Sequence, residues 1–105
     1  MKIKLAGGEE FLYVSTVNRT HVYDGERGAE VDVTAREVLN ITIENPSETM
    51  FNQAVSFFEK GDLSTLFIYS NIDVFISAIS GLKIQSISQS FNEAQNVIYI
   101  TLIVE

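Results

Sequence analysis

The only histidine of the chain is the first residue that could carry acid–base chemistry. His21 lies in the segment Thr20–Tyr23, and the chain contains no cysteine. An imidazole acts as a general base when it reaches the proton of a nucleophile through a hydrogen bond. The sequence around His21 offers neither such a nucleophile nor a second histidine. We therefore interpret His21 as a structural residue of a strand.

Four acidic residues that follow His21 are the second candidate site. Asp24, Glu26, Glu30 and Asp32 could offer carboxylate oxygens to a cation or to a basic partner. The run D-G-E-R-G that begins at Asp24 lacks the ligand spacing of a calcium loop and places Arg27 among the carboxylates. We expect a solvated hairpin tip that holds no metal ion and could contact a partner protein.

Two further arrangements resemble catalytic motifs only superficially. Gly7-Gly8 lacks the spaced glycines and the lysine of a phosphate-binding loop, and Glu9 and Glu10 would repel a phosphate. Paired acids such as Glu9 and Glu10 could serve a glycosidase, but the sequence shows no aromatic-lined cleft around them. We predict that the protein is not an enzyme and uses no cofactor.

Composition narrows the class of partner. The chain has 105 residues, which is the length of one domain, and a formal net charge of −7. Nucleic acids and anionic membranes both attract basic residues. We therefore expect a protein partner, with no direct nucleic-acid contact and no membrane contact. Asn71 and Asp73 interrupt the apolar stretch 63–82, so we do not expect it to span a membrane. Met1–Leu5 contains no apolar stretch long enough for a signal peptide.

The segments that position these residues are mainly predicted strands. Gly7-Gly8 predicts a hairpin between strands 2–6 and 10–16, and Asp24-Gly25 predicts another between strands 17–23 and 28–34. Alternating apolar residues predict a strand at 38–44. Further strands are expected at the following positions: 63–69, 72–78, 82–91 and 96–104. Of these, 72–78 could instead form a short helix.

One helix is predicted in the middle of the chain. Asn45 is a suitable N-cap, Pro46 suits the first helical position, and Glu48 completes a capping box. The helix is expected to span about 46–60 and to stop at Gly61. Its apolar stripe includes Ala54 and Phe58, while Phe57 either broadens the stripe or projects from its edge. The predicted fold is a single α+β domain, 1–105, with this helix packed on a mainly antiparallel sheet of hairpins.

The last two strands are nearly free of charge. Between Leu63 and Val104 only Asp73, Lys83 and Glu93 are charged. Both faces of the last strand are mainly apolar, with Tyr99 and Ile103 on the face opposite Ile100. Such a strand is either central in its sheet or covered by a partner. Tyr99 and Ile103 are therefore candidate partner contacts, together with the acidic residues of the second hairpin.

Two segments of the chain resemble known proteins. The chain resembles small proteins encoded by tailed bacteriophages of Gram-positive hosts in the segments Met1–Phe11 and Arg36–Ile43. Many of those proteins are encoded near tail genes. The resemblance implies a location in the host cytoplasm or in a virion, and it transfers no functional residue.

Two functions follow as hypotheses. The first is a non-enzymatic interaction or assembly protein, associated with the virion or tail and acting through strand edges and the apolar C-terminal sheet. It would form a homo-oligomer. The alternative is a small acidic inhibitor of a bacterial defence system, of the anti-CRISPR kind. That inhibitor would bind a basic groove of a host protein through residues 24–37.

Overall fold

The computed structural model describes residues 1–24, 34–60 and 62–104, which form one helix and eight strands in two antiparallel sheets. The first sheet has the order β2-β1-β5-β6, and the second has the order β3-β4-β8-β7. The elements are β1 Lys2–Ala6, β2 Leu12–Tyr13, β3 Thr16–Asp24, β4 Thr34–Glu44, α1 Met50–Lys60, β5 Asp62–Tyr69, β6 Phe75–Ser80, β7 Leu82–Phe91 and β8 Asn96–Val104. The predicted combination of one helix with antiparallel strands is confirmed, but the strands form two sheets where the sequence predicted one.

The hairpin predicted at Gly7-Gly8 is present, with a short second strand. Lys2 pairs with Tyr13 and Ile3 pairs with Leu12. Gly7 has a φ of 73°, a conformation that glycine adopts without steric cost, and the Gly8 N–H donates to the Leu5 carbonyl at 3.0 Å. The second strand spans only two residues because the chain leaves the first sheet and begins β3 at Thr16.

The second hairpin differs from its prediction. β3 pairs with β4 from Asp24 opposite Thr34 to Thr16 opposite Thr42, so its partner is the strand that the sequence placed at 38–44. This pairing places Val17 beside the fully buried Ile41. The turn at Gly25 and most of the predicted strand 28–34 lie outside the described residues.

The helix begins at Met50, and the predicted start at Pro46 is wrong. Asn45 has a φ of 49°, and its N–H donates to the Asn96 carbonyl at 2.9 Å. The left-handed region is one that asparagine tolerates better than most residues. Asn45 therefore ends the pairing of β4 with β8 instead of capping the helix. The first helical hydrogen bond runs from the Gln53 N–H to the Thr49 carbonyl.

Strand β8 is central in its sheet, between β4 and β7. Its inward residues Ile98, Ile100 and Leu102 are fully buried, whereas Tyr99 is 40% exposed on the outer face. Phe57 and Phe58 of the helix are both buried, so Phe57 broadens the apolar stripe. Both sheets and the helix contribute to one core, which contains Ile3, Leu5, Leu12, Val14, Leu39, Ile41, Ile43, Ala54, Phe57, Phe58, Leu66, Ile68, Ile79, Leu82, Ile98, Ile100 and Leu102.

A single residue carries the chain from one sheet to the other. Gly81, with a φ of 75°, separates β6 of the first sheet from β7 of the second. A residue with a Cβ atom would be strained in this conformation. Gly81 therefore permits the sharp change of direction between the two sheets.

Candidate functional site

The outer face of the first sheet gathers aromatic side chains from distant parts of the chain. Pairing of β1 with β5 places Ile3 and Leu5 in the core and turns the alternate residues outward. On that outer face Lys2 lies between Tyr13 and Tyr69, and Tyr69 pairs with Phe75. We call this group the aromatic platform; it consists of Phe11, Tyr13, Phe67, Tyr69 and Phe75.

Tyr69 contacts two other rings of the platform edge to face. The ring centres of Phe11 and Tyr69 are 5.6 Å apart with an angle of 87° between the planes. Those of Tyr69 and Phe75 are 5.7 Å apart at 72°. This geometry brings the positive edge of one ring to the negative face of the next. Tyr69 therefore fixes the orientation of both its neighbours.

Lys2 lies between the platform rings and carries the positive charge of the site. Its side chain is only 7% exposed, and its Nζ lies 4.3 Å from the centre of the Phe11 ring and 5.9 Å from that of Tyr13. These are cation–π distances. The ammonium donates a hydrogen bond to Asp73 and forms an ion pair with it. The pKa of Lys2 is raised, first by this hydrogen bond and then by the charge of Asp73, while burial opposes the shift.

The turn between β5 and β6 is held in one conformation by its own hydrogen bonds. The Ser70 N–H donates to the Val74 carbonyl at 2.8 Å, and the Val74 N–H donates to Ser70 Oγ at 3.1 Å. Asp73, with a φ of 65°, connects this turn to Lys2. The turn presents Ile72, which is 81% exposed. We call the exposed residues Ile72, Val74 and Ile76 the apolar rim.

The bulged start of β6 explains the exposure of Ile76. Tyr69 pairs with Phe75 and Ile68 pairs with Ser77, so Ile76 is an extra residue on β6. A bulge redirects a side chain in this way. Together, platform and rim hold six of the nine large apolar side chains that are exposed among the described residues. An exposed cluster of this kind, framed by an ion pair, is typical of a protein-binding surface.

Two of the sequence-predicted contacts, Tyr99 and Ile103, do not lie on this surface. Tyr99 and Ile103 lie on the outer face of the second sheet, where Tyr99 is exposed and Ile103 is half-buried. Asp24 ends β3 beside Thr34 in the backbone pairing. Glu26, Glu30 and Asp32 lie outside the described residues. The structure therefore brings Tyr99 and Ile103 onto one face and leaves the acidic contacts as predictions.

His21 lies on β3, and its side chain is exposed. Its backbone pairs with Glu37, and its ring centre is 5.0 Å from that of Tyr23. Glu37 forms an ion pair with Arg19. Among the described residues no group of three or more acidic, histidine or cysteine side chains could hold a metal ion. Within the same ranges no helix is long and apolar enough to cross a membrane.

Comparison with known proteins adds no relative. No protein-family model, curated protein or solved structure matches the chain.

The Lys2–Asp73 ion pair predicts a pH dependence of stability at alkaline pH. The pKa of Lys2 is raised above 10.5 in the folded protein, so the folded state binds this proton more tightly than the unfolded state. The resulting stabilisation is present below pH 10.5 and is lost as the pH rises through the raised pKa. Urea unfolding of wild type and Asp73→Asn should differ at about pH 8, and the difference should disappear as the pH rises through the raised pKa of Lys2.

Asparagine at position 73 is a matched change because it tolerates the left-handed backbone conformation. Glu93→Gln, in the turn between β7 and β8, is the control, and its small effect should not vary over this pH range. A difference between wild type and Asp73→Asn that persists unchanged above the raised pKa would show that the ion pair is not its source.

Proposed function

We propose that the protein is a non-enzymatic assembly protein that binds a protein partner through the aromatic platform and the apolar rim. The observation that carries this proposal is the exposure of Ile72, Phe75 and Tyr13, at 81%, 55% and 58%. Aromatic side chains supply contact area with little loss of conformational freedom, and they are enriched at the centres of interfaces.

The charge of the site favours a protein over a nucleic acid as the partner. The Lys2 ammonium is engaged by Asp73, and the chain has a net charge of −7. Single-stranded nucleic acid would need a positively charged groove beside the stacking rings. The aliphatic residues Ile72 and Val74 instead offer apolar contacts that suit an apolar protein surface.

The resemblance to small proteins of tailed bacteriophages gives this proposal its setting. A component of a phage particle, or an accessory protein of its assembly, needs surfaces that join it to other subunits. The platform supplies one such surface. The expected location of the protein is then the host cytoplasm or the virion. The partner would be another copy of the chain or a second protein.

Photo-crosslinking from the tip of the turn tests the proposal. A benzophenone amino acid at position 72, in protein produced in the cells that normally contain it, should give one discrete crosslinked product. The same group at Glu59, an exposed helix position far from the rim in sequence, is the control and should give none. Mass spectrometry of the product identifies the partner. If position 72 gives no product above that of position 59, the platform is not a binding surface.

The alternative function, an acidic inhibitor of a bacterial defence system, depends on Glu30 and Asp32. These residues lie outside the described ranges, so this function stays a prediction. Replacing both by lysine should abolish binding to a basic host protein if the inhibitor hypothesis is correct. Binding that survives this reversal would exclude that mode.

A further inference from the structure

We infer that copies of this chain join head to tail, with strand β7 of one copy pairing with strand β3 of the next. This inference extends the proposed assembly function by naming the second copy as a partner, and it uses a different surface from the platform. Among the residues that the structure describes, the two strands are the edges of the second sheet. An edge strand presents unpaired N–H and C=O groups to any strand that can align with it.

The directions of the strands fit this pairing. Every neighbouring pair in the second sheet is antiparallel, and the sheet has four strands. The two edge strands therefore run in opposite directions. When a second copy is placed beside the first without turning it over, its β3 lies antiparallel to β7. The core faces of both copies then stay on the same side of the continued sheet.

The edge strands of the second sheet are both long, whereas one edge strand of the first sheet is very short. β3 has nine residues and β7 has ten, so a ladder between them can be long. In the first sheet one edge is β2, which has two residues. That strand cannot support a ladder of useful length.

The side chains match when the rows of the sheet continue in register. The pairings across the second sheet place Ser88, Tyr99, Thr42 and Thr16 in one row. Continued into the next copy, this row brings Ser88 opposite Thr16. The adjacent rows bring Ile87 opposite Val17 and Ser86 opposite Asn18. Hydroxyl and amide groups meet on the outer face, and half-buried apolar side chains meet on the core face.

Charge does not oppose the contact at these rows. The segments Thr16–Asn18 and Ser86–Ser88 contain no charged residue. The other end of β7 contains Lys83 and a bulge beside Ile84. Lysine residues and bulges commonly prevent an edge strand from pairing with another chain. In this register, the segment Ser86–Ser88 of β7, beyond the bulge, faces the uncharged segment Thr16–Asn18 of β3.

A head-to-tail contact also satisfies both edges at once. A two-fold pairing of β7 with its own copy would leave β3 unpaired in both molecules. Pairing β7 with β3 leaves no such edge inside the assembly. Repetition of the contact gives a closed ring when the rotation between copies closes, and an open helical array when it does not.

Engineered disulfides test this contact cleanly, because the natural chain contains no cysteine. Directly opposite residues of an antiparallel pair have Cβ atoms about 4.5–5.5 Å apart, close enough for a disulfide after small adjustment. The double variant Thr16→Cys with Ser88→Cys should give, after mild oxidation, a ladder of species beyond the dimer on a non-reducing gel. Each single variant should remain monomeric on the same gel. Dimers from either single variant, or no ladder from the double variant, would overturn the proposal.

A charge pair tests it without covalent bonds. Thr16 and Ser88 are both exposed, so substitutions there should leave the fold intact. Wild type should sediment as a species larger than the monomer, and Thr16→Lys with Ser88→Lys should shift it to the monomer. Thr16→Lys with Ser88→Glu should restore the larger species. The inference is wrong if wild type is monomeric or if the two double variants behave alike.

The two tests separate this inference from the proposed function. The lysine pair at the sheet edges should leave crosslinking from position 72 unchanged when the partner at the platform is another protein. Loss of the ladder with crosslinking retained would refute only the edge pairing. A ladder without crosslinking from position 72 would refute only the platform.

Discussion

Replacing Ile100 by alanine should lower the free energy of unfolding by about 2–5 kcal/mol. Ile100 is fully buried on the core face of β8, between Ile41 of β4 and Ile87 of β7. Alanine removes three carbon atoms and leaves a cavity that packed neighbours fill only in part. Because a domain of this size is stable by roughly 5–15 kcal/mol, this one change removes a large fraction of its stability.

Ile103→Ala is the matched control on the same strand. Ile103 is only half-buried on the outer face, so the same truncation should cost about 1 kcal/mol or less. Urea unfolding followed by circular dichroism measures both values. Equal costs for the two variants would mean that the outer face is covered as completely as the core face. In that case the protein measured would already be assembled through that face.

The different burial of Ile100 and Ile103 shows which face of β8 lies in the core, which the sequence alone did not indicate. Apolar residues on both faces of 96–104 predicted a strand that is either central or covered by a partner. The structure confirms the central position, and it shows that the two faces differ in burial. Alternation along one strand locates two faces, whereas the choice of the buried face depends on which elements pack against it.

The start of the helix shows how a local pattern can be overridden. Asn45, Pro46 and Glu48 form a convincing capping sequence. The backbone of Asn45 is instead used to end the pairing between β4 and β8, through its bond to Asn96. Asn96 lies far along the chain, and short-range patterns carry no information about such a bond. The apolar stripe was predictable, because it depends only on helical periodicity.

The aromatic platform was not predicted, although each of its strands was. Phe11 and Tyr13 lie in the first hairpin, whereas Tyr69 and Phe75 lie more than fifty residues later. Only the register of β1 with β5 places them on one face. The alternation of Lys2 and Lys4 with the apolar Ile3 and Leu5 is the sequence feature that indicates an outer face where the platform lies. That alternation marks a solvent face, and the sequence does not say which side chains share it.

Replacing Tyr69 by alanine should destabilise the protein by about 2–3 kcal/mol and should also abolish crosslinking from position 72. Tyr69 lies between Phe11 and Phe75 and contacts both rings edge to face. Each such pair contributes about 0.5–1.5 kcal/mol beyond the area it buries. Without the central ring, Phe11 and Phe75 lose their fixed orientation, and the partner would have to immobilise them at its own entropic cost.

Tyr69→Phe is the control, because phenylalanine keeps the ring and removes only the hydroxyl group. It should retain both ring contacts and most of the crosslinking. Circular dichroism and urea unfolding establish that Tyr69→Ala remains folded at the temperature of the experiment. If folded Tyr69→Ala crosslinks as well as wild type, the rings do not act as one organised surface. The exposed rim side chains Val74 and Ile76 would then bind without the rings, and crosslinking from position 72 should fail in Val74→Asp while surviving every change to the rings.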